Sequence, residues 1–204
     1  MLPESIKNWY IHITSPVTGF CTRNRVHPNV LTVLGFIISC CAAYVVSRGS
    51  LRLGGVLILL GGTFDVFDGG VARATGMSSP FGSFFDSSLD RFAEIAISLG
   101  FLIYFLEKSD PTTAYVIMLA LGGALMVSYT RARAEALGLT CKVGFFQRPE
   151  RILLLGLGSL LGDIAVKIAL WILALFSNFT AVQRMVHVYT LTRGGKGGSG
   201  KPIS

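Results

Sequence analysis

The chain has 204 residues, 51% of them hydrophobic and only 14% charged, with a mean hydropathy of +0.61; this excludes an ordinary soluble domain and points to a protein built into a bilayer. The formal net charge of +7 is scattered among apolar runs with no basic and aromatic platform, which excludes a nucleic-acid partner. Cys21, Cys40, Cys41 and Cys141 lack metal-ligand spacing and are read as packing residues, with neither a disulfide framework nor a zinc site.

In chain order, Met1 to Arg23 contains Pro3, Glu4 and Pro16 and lacks a continuous apolar core. It does not read as a cleavable signal peptide, and its mixed apolar and polar residues predict an amphipathic helix on the membrane surface. Apolar stretches that approach the length needed to cross a hydrocarbon core of about 30 Å then follow at 29–47, 53–74, 84–106, 112–130, 150–162 and 164–184. The fifth is short and meets the sixth around Gly162 and Asp163. Residues 193–204 are rich in Gly, Ser and Lys and predict a flexible tail. With no internal repeat and no linker, the expected fold class is an all-α integral membrane protein. It comprises a bundle of six transmembrane helices and the surface helix, with residues 1–192 forming one domain.

Six crossings put both termini on one side of the membrane. Fourteen of the Lys and Arg residues then fall on the terminal side, and only Arg48, Arg52, Lys108 and Lys167 on the other. The positive-inside rule therefore places both termini in the cytoplasm of a multi-pass cell-membrane protein.

Carboxylates inside a membrane are costly and mark function, and the second and third stretches concentrate them. Asp65 and Asp68 are three apart and Asp86 and Asp90 four apart, so each pair projects from one face of its helix. Only the turn from Thr75 to Phe81 joins the two helices, which predicts an antiparallel pair whose four acids face one another. Four clustered carboxylates stay ionised only beside cations, and two divalent ions balance their charge. Oxygen-only ligands suit Mg²⁺ or Mn²⁺, which also bind substrate phosphates. Gly69, Ala72 and Gly82 leave room for a ligand, although helix packing explains small residues equally. Arg73 can pair with a phosphate or anchor the helix end.

The string Asp65-x2-Asp68-Gly69-x2-Ala72-Arg73-x8-Gly82-x3-Asp86-x3-Asp90 resembles the complete motif of the CDP-alcohol phosphotransferases, with every fixed position filled. The resemblance implies a six-helix bundle, commonly a homodimer, with its active site open to the cytoplasmic leaflet. It implies a CDP-lipid such as CDP-diacylglycerol as donor, an alcohol as acceptor and membrane lipids as surroundings. Asp65, Asp68, Asp86 and Asp90 would be metal ligands, and Asp90 also the base that takes the proton of the attacking hydroxyl. Gly69, Ala72, Arg73 and Gly82 would hold the CDP part, joined by Asn29 and Thr32, for which helix capping is an equal explanation. Glu94, one turn beyond Asp90, is either a partner that orients a ligand or the mate of an arginine such as Arg91 or Arg131.

Arg131, Arg133, Arg148, Arg151 and Arg184 gather at the expected cytoplasmic ends of helices four to six. Arginine at all five places favours fork-shaped recognition of a phosphate; anchoring of topology is the other use. The segments Ser128-Tyr-Thr-Arg131-Ala-Arg133-Ala-Glu135, Arg148-Pro-Glu-Arg151 and Gln183-Arg184 resemble the phosphatidylinositol phosphate synthase branch. That likeness implies inositol phosphate as the phosphorylated acceptor. Arg131 departs from the branch, which carries lysine there, so glycerol phosphate and free inositol stay open as acceptors. Outside the family, a membrane prenyltransferase and a cation-coupled transporter also use intramembrane acids. The first has differently spaced motifs, and the second would place its acids at the midplane.

Overall fold

The computed structural model describes residues 19, 21, 23, 26–141, 143–144 and 146–194. The expected surface helix at 1–23 and the tail beyond residue 194 lie almost wholly outside the described residues. Six helices follow one another: α1 (Pro28–Ser47), α2 (Leu51–Thr75), α3 (Pro80–Glu107), α4 (Pro111–Ala136), α5 (Arg148–Leu161) and α6 (Asp163–Gly194). Among the described residues there is no strand. α1, α2, α4 and α6 are each long and apolar enough to cross a membrane, as befits a membrane protein.

Local chemistry sets the starts. α1, α3, α4 and α5 each carry a proline in the first turn, where a missing N–H has no helical partner to lose. Ser79 caps α3 by accepting from the Gly82 N–H at 3.0 Å, and Asp110 caps α4 by accepting from the Thr113 N–H at 3.1 Å. α2 ends on Gly76 in the left-handed region, φ 68°, which relieves the turn before α3. Gly162, at φ 104° and ψ −167°, breaks the chain between α5 and α6 in a conformation that side chains exclude.

The helices pack as a closed ring. α1 lies against α2, α2 against α5, α5 against α6, α6 against α4, α4 against α3, and α3 against α1. The core inside the ring is built from Val46, Ile58, Ile97, Phe101, Ile117, Val166 and Leu170, among others. Glycines close two of the contacts. A side chain at Gly100 would run into the Ala43 backbone of α1, and one at Gly55 would stand 2.7 Å from the Gly156 carbonyl of α5. Such approaches give membrane helices their van der Waals contact in place of a hydrophobic drive.

The ring corrects one expectation. α2 and α3 carry the acids but make almost no direct backbone contact, because α1 packs against both and holds them apart. The carboxylates thus look into a gap between separated helices.

Depth follows from helical rise. Asp65 lies ten residues from the end of α2 and Asp90 ten residues from the start of α3, about 15 Å along each axis. α5 begins at this depth, since its first residue, Arg148, touches Asp65 and Asp90. Its 14 residues, about 21 Å long, therefore cover only the part of the bundle beyond the acids.

At the opposite end the ring is braced by charge. Tyr104 Oη donates to Asp163 Oδ1 at 2.6 Å, Lys108 Nζ to Asp163 Oδ2 at 2.6 Å, and Lys167 Nζ to Asp110 Oδ2 at 2.6 Å. The Lys167 ammonium, helped by Thr113, holds the Asp110 carboxyl down at about 2.

Gly100→Val should lower the thermal unfolding midpoint of the detergent-purified protein, overpacking of this kind costing about 1–3 kcal/mol. Gly122→Ala, where an added methyl meets nothing within 4 Å, should leave it unchanged or raised.

Candidate active site

Asp65 from α2 and Asp86 and Asp90 from α3 each offer a carboxylate oxygen within 4.8 Å of the others. Arg148, at the start of α5, reaches into the cluster; its Nη1 contacts Asp65 Oδ2 and lies 2.8 Å from Asp90 Oδ1. Arg91 Nη1 is 3.1 Å from Asp90 Oδ2. Asp86 Oδ1 is buried with no hydrogen-bond partner among the described residues, and a buried carboxylate oxygen of that kind calls for a cation or a donor. Three converging carboxylates, one with an unsatisfied buried oxygen, and a guanidinium drawn onto the other two fit a hard divalent cation.

The fourth acid stands beside this group and outside it. Asp68 is buried and its Oδ2 accepts from Thr32 Oγ1 of α1 at 2.7 Å. The separation of α2 and α3 explains this, because α1 fills the space between them and supplies the hydroxyl.

Three cavities meet at the acids. The first, about 250 Å³, is lined by Asn29, Thr32, Asp68, Gly69, Ala72, Arg73, Gly82 and Asp86. It unites every residue expected to hold a nucleotide. Gly69 and Gly82 matter here for space, since a Cβ at Gly82 would stand 3.4 Å from Asn29 Oδ1 and one at Gly69 would stand 3.3 Å from Arg73 Nη1. Met77, Ser78, Ser79 and Ser83 complete the wall; nothing but their position after the motif could have marked them.

The second cavity, about 450 Å³, is lined by Asp86, Asp90, Arg131, Arg148, Arg151 and Arg184 together with Ser128, Glu135 and Gln147. Four of the five expected arginines meet here. Arg133 does not: it is exposed and away from the lining, because it lies two helical steps from Arg131 and is turned about 200° around the axis. Arg148 lines the cavity, yet its charge is taken by Asp65 and Asp90.

The other three arginines are held differently. Arg131 Nε donates to Glu135 Oε1 at 2.8 Å in an exposed pair. Arg151, 3% exposed, donates from Nε at 3.0 Å and from Nη2 to Glu94 Oε1. Glu94 thus pairs with Arg151 of α5, and not with Arg91 or Arg131. Arg184, also 3% exposed, donates from Nε to the Val143 carbonyl at 2.9 Å and from Nη1 to the Val127 carbonyl. Among the described residues no carboxylate pairs with it, which leaves a buried positive charge without a counterion.

The third cavity, about 380 Å³, is mainly apolar. Leu59, Gly62, Thr63, Val66, Ile152 and Leu153 line it, with Asp65, Asp86, Arg148 and Pro149 at its polar end. Sequence reasoning missed it, because apolar residues on membrane helices give no sign of whether they face lipid, a neighbour or a ligand.

The acids divide among the three spaces. Asp86 borders all of them, whereas Asp68 borders only the first, Asp90 only the second and Asp65 only the third. A group bridging the acids would touch the contents of every cavity at once.

The chain matches the CDP-alcohol phosphatidyltransferase family over residues 25–190. It is 39% identical over 163 residues to archaetidylinositol phosphate synthase of Methanothermobacter thermautotrophicus, covering 78% of this chain and 81% of that one. To phosphatidylinositol phosphate synthase of Mycobacterium tuberculosis it is 31% identical over 198 residues, covering 93% and 91%. The crystal structure of the Mycobacterium tuberculosis enzyme with CDP-DAG bound superposes with a TM-score of 0.80 at 31% identity, over 88% of this chain and 94% of that one. Its complex with manganese and citrate gives 0.80 as well, over 87% and 89%. The prenyltransferase and transporter readings fall away: the chain belongs to the CDP-alcohol phosphatidyltransferase family.

Proposed function

We propose that this protein transfers the phosphatidyl group, or its ether-lipid equivalent, from a CDP-lipid to inositol phosphate, giving phosphatidylinositol phosphate and CMP. The observation that carries the reading is the junction of three cavities at Asp86. The reaction has three parts to accommodate, a nucleotide, an acceptor and a lipid, and they must share one phosphorus.

On this reading the first cavity takes the CDP part. Asn29, Thr32, Gly69, Ala72 and Gly82 shape its wall, and the exposed guanidinium of Arg73 faces the phosphates. The apolar third cavity takes the glycerol end of the lipid and the start of its chains. Asp65, Asp68, Asp86 and Asp90 would hold two divalent ions, Mg²⁺ or Mn²⁺, which when bound supply charge stabilisation of the diphosphate. Asp90, on the acceptor side, takes the proton as the acceptor oxygen attacks the phosphorus attached to the lipid. The bond from that phosphorus to the bridging oxygen breaks, and CMP leaves with the electron pair. Arg148 lines both the acceptor and the lipid cavities, where its guanidinium would stand beside the diphosphate.

The acceptor assignment is supported by the buried arginines. Arg184 lacks a carboxylate partner among the described residues, and Arg131 and Arg151 line the same space. A phosphate monoester supplies the missing negative charge, which a free polyol does not. Both relatives named above carry inositol phosphate in their names, which favours it over glycerol phosphate.

In the membrane the reading comprises six crossings, with the site and both termini toward the cytoplasm and the N-terminal segment on the surface. It takes residues 1–192 as one domain and two chains as the working unit. The short connections at 48–50, 76–79 and 108–110 and the single residue between α5 and α6 support alternating crossings.

Purified protein with CDP-diacylglycerol or its ether counterpart and Mg²⁺ or Mn²⁺ should release CMP with inositol phosphate, and not with glycerol phosphate or free inositol; release with either of those instead would reassign the acceptor. Asp90→Asn should lower turnover at least about 100-fold, the usual scale for a lost general base. Arg184→Ala should raise the KM for inositol phosphate about tenfold to a hundredfold, as expected for losing a charged hydrogen bond, while the KM for the CDP-lipid stays put.

A further inference from the structure

Glu94 borders neither the nucleotide cavity nor the acceptor cavity, and its chemistry is unused by the transfer reaction. It is nevertheless a carboxylate deep in a membrane bundle, a position that calls for a reason. We infer that Glu94 is a positioning residue, which fixes the guanidinium of Arg151 as a two-pronged donor for the acceptor's phosphate. This rests on the acceptor reading given above.

The geometry of the pair carries the inference. A guanidinium has five N–H bonds. Glu94 Oε1 accepts from Nε at 3.0 Å and from Nη2, and the Phe146 carbonyl accepts from Nη1 at 3.4 Å. Three bonds are thereby engaged by two groups on different elements, α3 and the segment before α5. Two remain, one on Nη1 and one on Nη2, and these two nitrogens form the end of the fork that matches two oxygens of one phosphate. Arg151 lines the acceptor cavity, and it also lines a small apolar cavity of about 40 Å³ with Glu94, Ile97, Phe101 and Leu155. Glu94 therefore approaches Arg151 from the bundle interior and leaves the opposite side for the ligand.

A counter-charge alone would not need this arrangement. Glu94 directs a single oxygen at two nitrogens of one edge of the guanidinium, while Oε2 is buried with no partner among the described residues. The other arginines of the cavity are set by other means: Arg184 by two carbonyls, Arg131 by an exposed carboxylate four residues on, and Arg91 and Arg148 by acids of the cation cluster. Arg151 is the buried member held by a single carboxylate from another helix, with one carbonyl beside it. Lysine at position 151 would keep the charge and lose the fork.

The test is steady-state kinetics of CMP release with inositol phosphate and CDP-diacylglycerol as varied substrates. Glu94→Asp keeps the charge and withdraws the carboxylate by one methylene. It should raise the KM for inositol phosphate about tenfold, the lower end of what loss of an orienting partner costs, with kcat and the KM for the CDP-lipid within about twofold. Glu94→Gln, which keeps the volume and one accepting oxygen, should fall between Glu94→Asp and the native chain, and supplies the same split if Glu94→Asp does not fold. Arg151→Lys should raise the same KM, and adding Glu94→Asp to it should change little further, because the two act as a unit. If Arg151→Lys shifts the acceptor KM and the Glu94 variants lower only the thermal midpoint, Glu94 is a structural brace and the inference is overturned. If Arg151→Lys itself leaves the acceptor KM unchanged, the acceptor reading is the one that fails.

Discussion

Carboxylates in an apolar bundle repel one another and are expensive to dehydrate, and this single cost organises the rest of the molecule. The protein meets it by keeping the acid-bearing helices apart. α1 stands between α2 and α3, donates a hydroxyl from Thr32 to Asp68, and leaves Asp65, Asp86 and Asp90 around a gap that a cation can fill. Arg148 enters the same gap from α5.

The positive side of the site obeys the same economy. A buried charge is tolerated where it is paired and hydrogen-bonded, and most of the arginines around the large cavity have their own partner: Glu135 for Arg131, Glu94 for Arg151, the acids for Arg148. Arg184 is the departure, held by carbonyls and left with its charge. The cavity is therefore not uniformly basic. It is a set of guanidiniums paired with carboxylates around one that, among the described residues, is short of an anion. This arrangement selects by geometry as well as by charge, which is what discriminating a phosphorylated polyol from its free form demands.

Much of this was legible in the residues. The apolar stretches at 29–47, 53–74, 84–106 and 112–130 found helices at Pro28–Ser47, Leu51–Thr75, Pro80–Glu107 and Pro111–Ala136, because long apolar runs between Gly, Pro and capping residues leave the chain few alternatives. The break at Gly162 and Asp163 was readable for the same reason, whereas α6 runs ten residues past the stretch assigned to it, since helical propensity continues after the apolar signal stops. Three of the four motif acids, Asp65, Asp86 and Asp90, converge, whereas Asp68 accepts from Thr32 of α1. Relations between elements that are distant in sequence were not legible. Nothing in α1 announces that it will wedge between α2 and α3, and nothing around Glu94 names Arg151, 57 residues away, as its mate. Arg133 was grouped with its neighbours by composition, and the helical turn puts it elsewhere. The apolar cavity by Leu59 and Ile152 escaped notice because a lipid-binding wall and a lipid-facing surface have the same composition.

The claim beneath all of this is that Asp65, Asp68, Asp86 and Asp90 form one divalent-cation site at the meeting point of the three cavities. Titration of Mn²⁺ into the purified, chelator-treated protein, followed by electron paramagnetic resonance, reads that claim without relying on turnover. The account predicts two ions bound per chain in the native protein and loss of tight binding in Asp86→Asn, the residue that borders every cavity. Undiminished binding in Asp86→Asn, or no binding by a native protein that still releases CMP, would contradict it.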